Sequence, residues 1–262
     1  HILLMVIDML LKEIYSEYDY NIEITGVQTD SRFVKPGNLF LPIRGKNFEG
    51  DEFFIDAITK GAVAIVYDKA IHNLTIPVII VDNLEKELFR LIDLIYEKPY
   101  NELTMIGVTG TDGKTSVSTL TSYLLNHLSR CANIGTNGII YDKEIIDNVF
   151  TTPILTQNYS LLREFSNLGI SYVSMEVSSQ GIANKRIEGI LYDYAIFTNL
   201  SHEHLDTHKT MHNYFLTKLK LFKQLKKQGI KSEKEVYGAT LSNNSLKIVK
   251  FKNQKVENKN EK

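Results

Sequence analysis

Residues Thr109–Thr115 read Thr-Gly-Thr-Asp-Gly-Lys-Thr, between an apolar run (Leu103 to Val108) and a stretch of helical apolar spacing (Ser116 to Leu128). A glycine-rich turn joining a strand to a helix aims backbone N–H groups and the helix N-terminus at an anion. The lysine adds a point charge for β/γ-phosphates, and the threonine hydroxyl a ligand for Mg²⁺. Such a loop makes the chain a user of nucleoside triphosphate. It is shorter than the commonest form, Gly-x4-Gly-Lys-Thr, which would need glycine at Val108; here the first glycine is Gly110. The plain alternative is a glycine turn with an exposed lysine.

The segments around the loop alternate strand and helix. From Leu103 onward come strand, loop and helix, then a helix at Thr156–Ser166, strands at Tyr172–Val177 and Tyr194–Thr198, and an amphipathic helix at Tyr214–Leu225. That order predicts an α/β fold with a parallel sheet and helices on both faces. Residues 1–100 read as a smaller α/β domain. A helix (Ile2 to Tyr18) leads to a strand around Ile22–Thr29, then Asp30-Ser31-Arg32, the turn Lys35-Pro36-Gly37-Asn38, and a strand at Leu39–Leu41. Gly61–Val66 and Pro77–Val81 are continuous apolar runs, as expected of strands buried on both faces. Leu84 to Tyr96 has helical spacing and ends before Pro99, which places a domain boundary near residue 100. The second domain then runs over 101–262 and is incomplete at its C-terminal end. Its tail, 229–262, is divergent or disordered, rich in Lys, Asn and Glu, with an apolar patch at Leu246–Val249 that supplies one or two edge strands.

At 262 residues, 43% hydrophobic and 23% charged, the chain suits two globular domains. A net charge of −1 gives no electrostatic case for nucleic acid or an anionic membrane. The single cysteine, Cys131, excludes an intrachain disulfide and a cysteine metal cluster, and reads as a core thiol in a reducing compartment. The opening run His1–Leu11 is broken by Asp8 and is too short to span a bilayer, so the chain is expected in the cytoplasm. Because it starts at His1, it reads as a fragment or a processed form.

Two further clusters carry chemistry. Tyr172–Ser179 puts Glu176 at the carboxyl end of a buried strand, where ligands of open α/β sheets bind and where it can share a Mg²⁺ with Thr115. A glutamate at a strand end is otherwise a surface ion-pair partner. Asn199–His208 holds three of the four histidines found between 202 and 212. One reading is a zinc or di-metal hydrolase, against which stand Thr207, separating Asp206 from His208, and the lack of any histidine after His212. Imidazoles supporting a Mg²⁺–nucleotide site, or lying free in a solvated loop, are the others. Lys218, taken alone, is a solvated helix lysine.

These residues, in this order, resemble the Mur ligases, and within them the tripeptide synthetases, over residues 1 to about 227. The parts are Asp30-Ser31-Arg32 with Pro36–Phe40, Gly45 to Gly50, the phosphate loop, Thr151-Thr152-Pro153, Met175–Ser179, Phe197–Ser201, His204-Leu205-Asp206, and Tyr214-Phe215 with Lys218. The resemblance implies a monomeric cytoplasmic ligase of peptidoglycan synthesis that uses ATP and Mg²⁺. It would add the third amino acid to UDP-MurNAc-L-Ala-D-Glu through an acyl phosphate, with no nucleic-acid or membrane partner. It implies an N-terminal domain that holds the uridine nucleotide through Ser31 and Lys46-Asn47-Phe48. Thr151, Thr152, Ser178, Asn184 and Arg186 would meet the muramoyl-dipeptide. Gly110, Thr111, Asp112, Gly113, Lys114, Thr115 and Ser116 would bind ATP; Thr115, Glu176 and His204 would hold Mg²⁺; Lys114, Glu176, His204 and Lys218 would be catalytic. Lys218 matches the family lysine that CO₂ carboxylates, which reverses its reading as a solvated lysine.

The sequence departs from the family pattern at Asp112 (usually Asn), Gln180 (usually His) and Asn184 (usually Gln). After Lys227 the pattern is lost, and by the resemblance the amino-acid-binding C-terminal domain is expected to be absent from this sequence. The chain alone is therefore expected to bind nucleotide substrate without completing ligation. The other readings are a different ligase of the superfamily, such as a folylpolyglutamate or cyanophycin synthetase, and a non-catalytic UDP-sugar-binding remnant.

Overall fold

The computed structural model describes residues 9–43, 51–203, 205–226, 236–242 and 245–251. It forms two compact units: His1–Pro99 with Leu155–Leu168, and Tyr100–Ile154 with Gly169–Lys262.

The first unit opens with a short strand β1 (Met9–Leu10), a single helical turn α1 (Leu11–Ile14) and β2 (Glu23–Ile24), which pairs antiparallel with β1. The helix expected from Ile2 to Tyr18 is thus shorter: residues 2–8 lie outside the description, and the helical turn ends at Tyr15, whose extended ψ breaks it. The strand expected over Ile22–Thr29 is split at Thr25 into β2 and β3 (Gly26–Gln28). A parallel sheet β3–β4–β5–β6 follows, with β4 at Asn38–Phe40, β5 at Ala64–Tyr67 and β6 at Val78–Ile80. Both middle strands are buried throughout, as expected of the apolar run Gly61–Val66. The run Pro77–Val81 instead forms the edge strand β6, where Ile79 is buried and Ile80 is exposed, so burial on both faces does not hold there. Helix α2 (Phe54–Thr59) lays Phe54 and Ala57 on Phe40, Ile65 and Tyr67; the Phe54 ring meets Tyr67 edge-on at 5.2 Å. Helix α3 (Leu84–Tyr96) begins where the Asn83 side chain accepts Lys86 N–H at 2.8 Å, and buries Leu88, Leu91, Ile92, Ile95 and Tyr96.

The second unit is a six-stranded sheet in the order β10–β9–β8–β11–β7–β12. In chain order its elements are β7 (Thr104–Thr109), α4 (Lys114–Leu125), β8 (Cys131–Gly135), β9 (Gly138–Tyr141) and β10 (Glu144–Ile146). Helix α5 (Leu155–Asn167) interrupts, and the unit resumes with β11 (Tyr172–Glu176), α6 (Ser179–Ala183) and β12 (Tyr194–Phe197). Helices α7 (Leu205–His208) and α8 (Met211–Lys223) follow, then the hairpin β13 (Val236–Ser242) with β14 (Ser245–Phe251), which forms a two-stranded sheet of its own. Strands β8, β11, β7 and β12 are parallel, as the alternating pattern predicts. The antiparallel hairpin β8–β9–β10 at one edge was not expected. The apolar patch at Leu246–Val249 does become a strand, and residues 252–262 lie outside the description.

Helix α5 belongs by packing to the first unit. Its Thr156 hydroxyl donates to Gln28 Oε1 at 2.8 Å in the core, and the Arg163 guanidinium donates twice to Tyr96 O, at 3.0 and 2.7 Å. The arginine thereby satisfies a carbonyl at the end of α3, where the helix dipole also favours a cation.

Candidate active site

The phosphate loop is built between the ends of β7 and β12. Gly110, at φ +151°, leaves no room for a side chain: a Cβ there would stand 1.9 Å from Thr198 Oγ1. The segment after β12 then grips the loop. Thr198 N–H donates to Thr109 O at 2.9 Å and its hydroxyl to Asp112 O at 2.6 Å. Thr111 N–H donates to Asn199 O at 3.0 Å, Asp112 N–H to Asn199 Oδ1 at 2.9 Å, and Ser201 N–H to Thr111 Oγ1 at 3.0 Å. Gly113 starts α4 in the left-handed region, at φ +78°. Asn199 and Ser201 entered the sequence reading only as parts of a motif; in the structure they are the frame of the loop.

Two lysines meet this loop. Lys114 Nζ donates to Gly110 O at 3.1 Å and to Thr111 O at 2.7 Å. Lys218, from α8, donates to the same Gly110 O at 2.6 Å and lies over the Tyr214 ring at 4.4 Å. At 1% exposure Lys218 is not the solvated lysine its sequence context suggests. Burial, followed by the nearby positive charge of Lys114, pulls its ammonium down from 10.5 to about 7. Asp112 is exposed, and its carboxylate accepts the Ser201 hydroxyl at 3.3 Å. Ser116 is exposed on the first turn of α4.

Glu176 ends β11 beside the loop and is 1% exposed, not a surface ion-pair partner. Its Oε2 accepts the Thr115 hydroxyl at 2.9 Å. Hydroxyl and carboxylate oxygens so placed are the donor chemistry of a hard divalent cation, and they fit Mg²⁺. His204, the third expected ligand, lies outside the described residues, as do Lys46, Asn47 and Phe48. Among the described residues no group of three or more His, Cys, Asp or Glu gathers as a metal cluster. His208 is buried against the Tyr214 ring at 5.1 Å, which takes it out of the hydrolase-type ligand run.

A cleft of about 300 Å³ adjoins the loop. Lys114, Tyr214 and Lys218 line it together with Phe150, Thr151, Ser178, Gln180 and Arg186. Thr152 is buried behind it and fixes the wall: its hydroxyl donates to Glu176 O at 2.9 Å and accepts Ser178 N–H at 3.0 Å. Ser178 caps α6, accepting Gly181 N–H at 3.0 Å. The Arg186 guanidinium stacks on the Phe150 ring at 4.0 Å and donates to Thr152 O at 3.0 Å. Burial lowers its affinity for the proton relative to a free arginine, and a charge held this way is well placed for an anionic ligand. Asn184 is exposed at the end of α6 and does not line this cleft. Ser31 sits in the first unit, buried at the start of a 3-10 turn that Asp30 caps.

A Mur ligase middle-domain profile matches residues 108–261, and a profile described as the Mur ligase family catalytic domain matches residues 23–92. The chain belongs to the Mur ligase family. It is 36% identical over 227 residues to the UDP-N-acetylmuramoyl-L-alanyl-D-glutamate–2,6-diaminopimelate ligase of Caldanaerobacter subterraneus, covering 86% of this chain and 47% of that one. It is 41% identical over 208 residues to UDP-N-acetylmuramyl-tripeptide synthetase 2 of Oceanobacillus iheyensis, covering 77% of this chain and 42% of that one. Among solved structures, a UDP-N-acetylmuramoyl-L-alanyl-D-glutamate–2,6-diaminopimelate ligase aligns with a TM-score of 0.63 at 26% identity, over 84% of this chain and 46% of that one. The MurF ligase of Thermotoga maritima in complex with ADP shares the fold, with a TM-score of 0.53 at 23% identity over 82% of this chain and 45% of that one. The chain thus spans about half the length of the relatives it matches.

Proposed function

We propose that this Mur ligase chain carries the ATP and UDP-MurNAc-L-Ala-D-Glu sites of a ligase that adds the third amino acid of the peptidoglycan precursor. The observation that carries the reading is the junction of a phosphate loop, with its Thr115–Glu176 pair, and a cleft walled by Arg186, Ser178 and Thr151. The names of the relatives supply the substrate class. The first unit would serve as the uridine-nucleotide domain, with Ser31, Lys46, Asn47 and Phe48, and residues 101–262 as the ATP-binding domain.

The chemistry is acyl activation. A D-Glu carboxylate oxygen attacks the γ-phosphorus of ATP, the bond to the ADP oxygen breaks, and an acyl phosphate forms. The amine of the incoming amino acid then attacks the acyl carbon, loses a proton, and expels phosphate. Gly110 to Ser116 bind the phosphates through backbone N–H groups and the α4 N-terminus. Lys114, released from the Gly110 and Thr111 carbonyls, offers its charge to the phosphoryl oxygens that gain charge in the transition state. Thr115, Glu176 and His204 would hold a Mg²⁺, which supplies charge neutralisation of the phosphates. Arg186, Thr151 and Ser178 would orient the dipeptide, with Thr152 holding the wall behind them, while Asn184 stands outside this cleft.

Lys218, with an amine half unprotonated near neutral pH, is suited to take up CO₂ as a carbamate: its nitrogen bonds to carbon and one proton leaves. Cytoplasmic location and a monomeric state complete the reading. Calorimetric titration with ADP and, separately, with UDP-MurNAc-L-Ala-D-Glu tests it. Saturable binding of both is expected, and a chain that binds neither contradicts it.

A further inference from the structure

The Glu176 carboxylate is held at three points, and Thr136 supplies two of them. Thr136 N–H donates to Oε1 at 2.8 Å, and the Thr136 hydroxyl donates to Oε2 at 3.3 Å; the third donor is the Thr115 hydroxyl at 2.9 Å. The end of β8 is shaped for this contact. A Cβ at Gly135 would stand 2.1 Å from Oε1, so a glycine there lets the carboxylate reach the Thr136 amide. Thr136 lies 40 residues from Glu176 in sequence and belongs to no motif that points at it.

The Thr136 hydroxyl also touches Thr151 Oγ1 at 3.1 Å. A hydroxyl has one proton, and Thr136 gives its proton to Glu176. It must therefore accept from Thr151. The three groups form a directed chain, Thr151 to Thr136 to Glu176, from the cleft wall to the carboxylate beside the phosphate loop. Such chains polarise in one direction and strengthen their last bond.

We infer that Thr136 is a positioning residue for the cation-binding carboxylate, holding Glu176 toward Thr115 and tying it to Thr151 in the substrate cleft. This rests on the reading of the loop as a Mg²⁺–nucleotide site. When the Thr115 oxygen and a Glu176 oxygen serve a cation, the Thr136 amide and hydroxyl still hold the carboxylate, on Oε1 and Oε2. Partners of this kind, one bond behind a ligand, fix its orientation and its metal affinity.

The test is calorimetric titration of the chain with ADP across a Mg²⁺ series, for the unaltered protein and for Thr136→Val, Thr136→Ser and Thr151→Val. Thr136→Val is expected to raise the Mg²⁺ concentration needed for half-maximal binding about tenfold. Binding without Mg²⁺ and the thermal midpoint stay unchanged, Thr136→Ser restores the unaltered behaviour, and Thr151→Val moves the Mg²⁺ requirement in the same direction by less. An unchanged Mg²⁺ requirement in Thr136→Val overturns the inference, as does an equal loss of Mg²⁺-free binding, which would mark a purely structural role. An unmoved Thr151→Val overturns the link to the cleft. If the unaltered chain binds ADP with no response to Mg²⁺, the inference fails while the nucleotide site stands. If it binds no ADP at all, both fail.

Discussion

At the scale of single residues, two lysines share one carbonyl. Lys114 and Lys218 both donate to Gly110 O, so the loop holds a density of positive charge that a phosphate chain would relieve. Lys114→Ala should weaken ADP binding by about 1.5–3 kcal/mol, roughly 10- to 150-fold, the range for hydrogen bonds to charged groups; calorimetry reads it directly. Asp112 works the other way. Its exposed carboxylate stands in the phosphate loop and accepts the Ser201 hydroxyl. Asp112→Asn should tighten ADP binding by about 0.5–1 kcal/mol, with the gain shrinking as salt rises.

Lys218 makes its prediction through pH. The folded chain releases this proton near 7, whereas the unfolded chain holds it up to the ordinary lysine value of 10.5. Between those values the unfolded state binds more protons, so stability rises with pH across the window. Urea unfolding from pH 7 to 10.5 should show that rise in the unaltered chain and a smaller one in Lys218→Met. None of this burial was legible locally. The segment around Lys218 is amphipathic, and only the packing of α8 against the loop decides that its lysine points inward.

At the scale of elements, legibility followed the source of each element's stability. Helix α3 matches its expected range of Leu84–Tyr96 because its cap, Asn83, and its apolar face are both local. Strand β7 is nearly as clear, its Met-Ile-Gly-Val stretch being apolar and central in the sheet, and β11 is legible although it carries Ser174 and Glu176. Strand β8, Cys-Ala-Asn-Ile-Gly, carries no such run, yet every residue in it is buried; its neighbours β9 and β11 make it a strand. The placement of α5 is likewise a long-range outcome. Its amphipathic pattern predicts a helix but not the sheet it serves, which is settled by Thr156 on Gln28 and Arg163 on the end of α3. Arg163 is 13% exposed and donates to two carbonyls there, so Arg163→Ala should cost about 1–3 kcal/mol in urea unfolding.

At the scale of the whole chain, four connections converge on the carboxyl edge of the second sheet. The loops after β7, β8, β11 and β12 bring together Gly110–Thr115, Thr136, Glu176 and Thr198–Ser201. Parallel strands with crossover helices place all four at the same end, which is where open α/β sheets bind ligands. The loop and Glu176 could be read from sequence because each is a local pattern with a known chemistry. Thr136 could not, since its partner is 40 residues away and its own neighbourhood is an ordinary turn.

The proposed function requires this edge to serve a UDP-muramoyl-dipeptide as well as a nucleotide. The most direct test is calorimetric titration of the chain with UDP-MurNAc-L-Ala-D-Glu and with UDP-GlcNAc. Clear preference for the muramoyl-dipeptide is expected, lost when Arg186 is changed to Ala. Equal affinity for the two ligands, insensitive to Arg186→Ala, would contradict it.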